Sequence, residues 1–144
     1  MLEMQEREQL MSHLLRLGPK GRYSRFSATL NDAMVAAYVI QTFSASNFYV
    51  GFFDQDILRG VVEIHDMGPN GQSAELAFSI ELGWRGQGVG ARLFAAAVAA
   101  ARYRSVRFLH IHCLAHNFAM VALLRRFQAR MTYEDNEVSA VIAC

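Results

Sequence analysis

Charge is scarce in this chain of 144 residues: Lys, Arg, Asp and Glu make up 19%, and their formal balance is +1. That balance gives no electrostatic case for nucleic acid or for a strongly acidic partner surface. Cysteine is scarcer still. Two residues, Cys113 and Cys144, do not make a disulfide framework, so a reducing interior, the cytoplasm, is the expected compartment. No apolar run reaches the ~20 residues of a membrane span. Residues 91–101 are the most apolar stretch and are too short, and residues 1–8 are charged with no signal-peptide core. Repeats, linkers and low-complexity tracts are absent as well, which leaves no domain boundary. The hydrophobic content of 53% excludes a disordered chain. One globular domain over residues 1–144 is expected.

Leu10, Leu14, Leu15 and Leu17 form an apolar stripe in a first helix over residues 4–17, which Gly18-Pro19 ends. Residues 20–27, Lys-Gly-Arg-Tyr-Ser-Arg-Phe-Ser, read as a loop whose Tyr23 and Phe26 plug the core or line an entry to a site. Asn31 or Asp32 caps a second helix over 33–43, with Met34, Val35, Tyr38 and Val39 inward. Strands over 47–53, 57–67 and 74–81 are separated by Asp54-Gln55-Asp56 and Gly68-Pro69-Asn70-Gly71. They predict an antiparallel meander, with Gly60 at a bulge or close approach. A helix over 91–104 then leads to a strand over 106–113, which implies a parallel pair beside the meander. Asn117 caps a helix over 118–127, and a hairpin over 129–134 and 137–142 closes the chain. The fold class is α/β in the α+β sense: a mixed, mostly antiparallel sheet flanked by helices.

Residues 73–94 carry the densest chemical signal. A short strand meets Arg85-Gly86-Gln87-Gly88-Val89-Gly90, with glycine at every second position, and a long alanine-rich helix follows. Glycines let a backbone approach a ligand, and a helix N-terminus offers free N–H groups to a phosphate. Gly86, Gly88 and Ala91 also meet the looser dinucleotide form Gly-x-Gly-x-x-Gly/Ala. That loop opens a βαβ unit with an acidic residue ~20 residues later. Here it follows a meander, and residues 104–112 contain no acid. His110 and His112 share one strand face while Cys113 points away, and no carboxylate lies near them in sequence, so no metal site is expected. His65 is read as a core or edge residue, with an acceptor cleft as its alternative.

The chain resembles the GNAT superfamily of acyl-CoA N-acyltransferases over nearly its whole length, from Leu10 to Ile142. Arg85-Gly86-Gln87-Gly88-Val89-Gly90 fits that family's Gln/Arg-x-x-Gly-x-Gly/Ala loop. The strand Ala74-Glu75-Leu76-Ala77-Phe78-Ser79-Ile80 precedes it, and Asn117-Phe118-Ala119-Met120-x-x-Leu123 looks like the family's next helix motif. Leu14 to Pro19 and Arg22 to Phe26 are similar to a segment of bacterial protein-lysine acetyltransferase domains, with Lys20-Gly21 in place of an acidic pair.

The resemblance implies an acetyl-CoA-dependent N-acetyltransferase in which a primary amine, on a small molecule or a protein lysine, attacks the thioester directly. Pyrophosphate would sit on the N–H groups of Gln87, Gly88, Val89 and Gly90, with Arg85, Gly86 and Ala91 beside them. Phe78, Ser79 and Ile80 would pair with the pantetheine arm, and Asn117 and Met120 would complete the coenzyme set. A backbone N–H near Ile80 or Glu81 would polarise the acyl carbonyl, and Glu75 would be the base. Three departures from the family pattern stand out. Leu124 replaces a tyrosine that protonates the departing thiolate, leaving Tyr103 and Tyr133 as unplaced alternatives. Gln128 replaces a glycine at a helix end. The family's first strand is expected to be missing, which would open a sheet edge that a homodimer could cover. The alternatives to an enzyme are a non-catalytic acyl-CoA-binding module of the same fold and a plain interaction domain.

Overall fold

Gly18 adopts a left-handed φ of 72° and ends the first helix, α1 (Met4–Leu15). The computed structural model, which describes residues 4–144, then departs from the expected loop. Pro19 sits in the first turn of a new helix, α2 (Gly18–Phe26), where no helical bond needs its missing N–H. The Gly-Pro pair therefore both stops one helix and starts the next. Asn31 caps α3 (Asp32–Thr42), its Oδ1 accepting from the Met34 N–H at 2.9 Å. Val35 and Val39 are buried, but Met34 is 50% exposed, which corrects its inward placement.

The strands are β1 (Phe48–Asp54), β2 (Ile57–Asp66), β3 (Ser73–Ile80), β4 (Phe108–Leu114), β5 (Arg130–Glu134) and β6 (Glu137–Ala143). They form one sheet in the order β1-β2-β3-β4-β6-β5. Only β3 and β4 run parallel, joined by the crossover helix α4 (Val89–Tyr103), and α5 (Phe118–Arg126) follows β4. No strand precedes α1 among the described residues. Residues 1–3, part of the stretch expected to lack one, lie outside them.

The sheet's alternation sends Val62, Ile64, Leu76, Leu109 and Ile111 to one face, where they pack with Leu93, Phe94 and Val98 of α4 and Met120 and Leu124 of α5. Leu58, Val61 and Tyr49 face the other way, against Leu10 and Leu14 of α1 and Val35 and Val39 of α3. Leu58 and Val61 share a face despite their spacing because of a bulge. Phe52 opposes Gly60 and Phe53 opposes Leu58, so Arg59 is the extra residue. Gly60 stands beside it, where an added Cβ would lie 3.1 Å from Leu93 Cδ1.

Beyond α5, Gln128 takes a left-handed φ of 58°, a conformation that strains any residue with a Cβ. Gln128→Gly is expected to stabilise the fold by about 1 kcal/mol, read as a higher urea midpoint with an unchanged slope.

Candidate active site

β3 and β4 are paired only at Ser73–Leu76 with Phe108–Ile111, though β3 continues to Ile80 and β4 to Leu114. Past Leu76 the strands part, and a gap opens inside the sheet. The Glu81 N–H donates to the Arg59 carbonyl on β2 at 2.9 Å. By antiparallel alternation, Phe78 and Ile80 then turn their backbone away from β2 and into the gap. Glu81 is thereby ruled out as a carbonyl polariser, since its N–H is already taken. Phe78 and Ile80 have theirs directed at the groove.

That groove has a volume of about 240 Å³. Phe78, Ser79, Ile80, Arg85, Gly86, Gly90, Asn117 and Met120, all expected in a coenzyme site, line it together. Gly86 and Gly88 adopt left-handed φ values of 75° and 78°, which aim the loop into the start of α4. A Cβ at Gly90 would lie 3.5 Å from Ile80 Cδ1 and 3.6 Å from Phe78 Cζ, so glycine keeps this corner of the groove open. Arg85 Nε donates to the Ile80 carbonyl at 2.9 Å. The Asn117 Oδ1 caps α5 by accepting from the Met120 N–H at 3.3 Å. The remaining expected residues stand outside the lining. Val89 is buried in the core, Ala91 is half-buried in α4, and the exposed Gln87 donates from Nε2 to the Gly83 carbonyl at 3.2 Å.

A second cavity, of about 230 Å³, adjoins the first and shares Ser24, Arg25, Phe78, Asn117 and Met120 with it. Glu75 lines this one. It is half-buried, with His65 opposite on β2 and His110 opposite on β4. The helix α2, unforeseen in the sequence, supplies Ser24 and Arg25 to both cavities.

Two buried carboxylates on the α1–α3 side organise this region, and sequence reasoning found neither. The fully buried Glu63 accepts from Arg25 Nε and Nη2 at 3.1 and 3.0 Å, from Tyr38 OH at 2.7 Å and from His65 Nε2 at 3.2 Å. Burial alone would raise its pKa. Arg25, with His65 and Tyr38, outweighs that and holds it at about 2. The same burial and the nearby Glu63 push the Tyr38 hydroxyl well above its ordinary value. A charged residue inside Val61-Val62-Glu63-Ile64 was the signal available in the sequence.

Glu81 is the second. Its Oε1 accepts from Arg16 Nε at 3.0 Å and from Arg59 Nη1 at 2.9 Å, while Oε2 lies 3.0 Å from His13 Nδ1. His13 Nε2 is 2.9 Å from Ser79 Oγ. Burial lowers the pKa of His13 despite the neighbouring Glu81. For Glu81, hydrogen bonds from Arg16, His13 and Arg59 overcome the opposing effect of burial and hold its carboxyl below the ordinary value. A carboxylate only accepts, so Nδ1 carries the proton, and Nε2 of the neutral ring accepts from the Ser79 hydroxyl.

Leu124 is fully buried in the core, whereas Leu123 lines the groove. Tyr103 is 91% exposed at the end of α4, and Tyr133, on β5, is exposed and in reach of Arg125 Nη2 at 3.4 Å. Neither lines the groove. His112 hydrogen-bonds with Ser139 Oγ at 3.1 Å. Among the described residues, no three His, Cys, Asp or Glu side chains gather as a metal site, and no helix is long and apolar enough to cross a membrane.

The model of the acetyltransferase (GNAT) family matches residues 9–128, and the chain belongs to that family. Acyl transfer follows as its general class of activity. No curated protein sequence matches it significantly. Among solved structures, the GNAT domain of S. lividans PAT is similar over 99% of this chain and 88% of its own, at 20% identity and a TM-score of 0.83. The ribosomal-protein-S18-alanine N-acetyltransferase from Escherichia coli is similar over 99% and 90%, at 11% identity and a TM-score of 0.76. A paia N-acetyltransferase from Thermoplasma acidophilum, in complex with coenzyme A, is similar over 99% and 96%, at 10% identity and a TM-score of 0.72. At these identities the likeness is one of fold.

Proposed function

We propose that this protein transfers an acetyl group from acetyl-CoA to a primary amine by direct attack in a ternary complex. The observation that carries the reading is the gap between β3 and β4, with the glycine-led start of α4 beside it. An unpaired strand edge inside a sheet is a template for an extended amide-bearing ligand. The pantetheine arm has that chemistry, and Phe78 and Ile80 hold the facing backbone groups. The N–H groups of Gln87, Gly88, Val89 and Gly90, at the start of a 15-residue helix, suit its pyrophosphate. Arg85, Gly86 and Ala91 flank that site, and Asn117 and Met120 close the groove from α5.

Direct transfer demands three things of the protein: a held thioester, an amine freed of its extra proton, and a polarised carbonyl. The Phe78 or Ile80 N–H serves the carbonyl, between the two cavities. Glu75, in the second cavity, receives the ammonium proton through water. The acceptor therefore enters from the Glu75 side, opposite the coenzyme.

Calorimetry with coenzyme A, paired with a thiol-release assay over a panel of small amines and lysine peptides, tests this. Coenzyme binding together with amine-dependent thiol release is expected. Binding with no release on any amine would instead mean a coenzyme-binding module, and no binding at all would remove the whole reading.

A further inference from the structure

We propose that Ser79, coupled to His13 and Glu81, carries a proton from the attacking nitrogen to the departing coenzyme thiolate. The inference rests on the acetyltransferase reading above and adds to it the step that Leu124 leaves without a donor.

Glu81, His13 and Ser79 stand in a line, carboxylate to imidazole to hydroxyl, with contacts of 3.0 and 2.9 Å. They come from two elements far apart in sequence, α1 and the end of β3. Glu81 is divided between tasks: Oε1 holds Arg16 and Arg59, which leaves Oε2 to His13. The groups facing His13 are Glu81 directly, Arg16 just past the end of its own helix and Glu63 at longer range. His13 is shut off from solvent, so it exchanges protons only through its partners. Ser79 is the partner that lines the groove, and it lies between Phe78 and Ile80, whose amides are directed into that groove. The carboxylate fixes the ring's tautomer and steadies it when it becomes an imidazolium, the same division of labour found in hydroxyl–imidazole–carboxylate triads.

The step balances without an outside acid. Glu75 takes the first proton from the ammonium before attack. Attack forms the C–N bond and leaves the nitrogen with one proton too many. That proton passes to Ser79 Oγ while Ser79 gives its own to His13 Nε2. On collapse the C–S bond breaks, the sulfur takes the proton of Ser79, and His13 Nε2 returns its proton to Oγ. The nitrogen has lost two protons, one relayed to the sulfur and one taken by Glu75 and released to water, and Ser79, His13 and Glu81 end as they began.

Ser79→Ala is the test, because it removes one oxygen from a strand and leaves the fold's packing in place. The expected result is a single-turnover rate lower by about 10²-fold, with coenzyme affinity unchanged by calorimetry. Rates in mixtures of light and heavy water should curve with deuterium content in the parent, where several protons move together, and run straight in Ser79→Ala. Ser79→Thr, which restores a hydroxyl, should recover part of the rate and the curvature. An unchanged rate in Ser79→Ala, a rate loss matched by lost coenzyme affinity, or the same isotope behaviour in parent and variant would each overturn the shuttle. If the parent releases no thiol with any amine, the acetyltransferase reading falls and the shuttle with it. A working parent with an indifferent Ser79→Ala variant sinks only the shuttle.

Discussion

Glu75→Gln is expected to slow turnover by ~10²–10⁴-fold and to leave coenzyme affinity as it was. Amines in water are ammonium ions near neutral pH, and an ammonium has no lone pair with which to attack. Glu75 lines the second cavity and not the first, which is the groove proposed for the coenzyme. The substitution keeps the shape and removes the proposed proton acceptor. Because Glu75 does not line the groove proposed for the coenzyme, the loss should fall on kcat while the coenzyme Kd stays fixed. The lost rate should return partly at alkaline pH, where free amine becomes abundant without help. An active Glu75→Gln variant with the parent's pH profile would move the base elsewhere.

The second large effect is on stability. Arg25→Met is expected to destabilise the fold by ~3–5 kcal/mol, because it strips the cation from a fully buried carboxylate. Glu63 has no exposure with which to find water instead. The sign with pH is distinctive. In the parent, Glu63 titrates at about 2, below its reference value of 4.5, so its contribution is full above about 4.5 and is lost as pH falls towards 2. In Arg25→Met, burial without a cation lifts the carboxyl above that reference value. The variant should therefore gain stability as pH falls through the raised value, and the gap between the two proteins should narrow in acid. Urea unfolding at pH 7 and pH 5 reads this. Replacing both partners by apolar residues, Arg25→Met with Glu63→Leu, should recover most of the loss.

The order and pairing of the elements were largely legible in the sequence, because turn residues and alternation are local signals. The meander, the crossover and the closing hairpin all rest on them, as does the cap at Asn31. The helix α2 was not, because Gly18-Pro19 has the same composition whether it ends a helix or joins two. Met34 shows a related weakness, since an apolar residue at helical spacing can still sit on the outer edge of the stripe. The groove lining at Phe78, Ser79, Ile80, Gly86, Gly90 and Asn117 was readable because it belongs to two contiguous motifs. The buried ion pairs were not. His13 is 68 residues from Glu81 and Arg25 is 38 from Glu63, and no local pattern connects them. The resemblance pointed to free backbone groups near Ile80 or Glu81, but choosing between them needed the Glu81 N–H bond to Arg59 on β2.

The seam between β3 and β4 has a mechanical consequence. Four residue pairs join a three-stranded leaf, β1-β2-β3, to another, β4-β6-β5. The sheet is thus two leaves sharing a short hinge, open along the rest of their common border. An extended ligand that bonds Phe78 and Ile80 stands in for the strand missing from that border and resists its breathing. Occupancy and rigidity become one linked equilibrium, and the resistance to local opening grows with the logarithm of ligand concentration above its Kd.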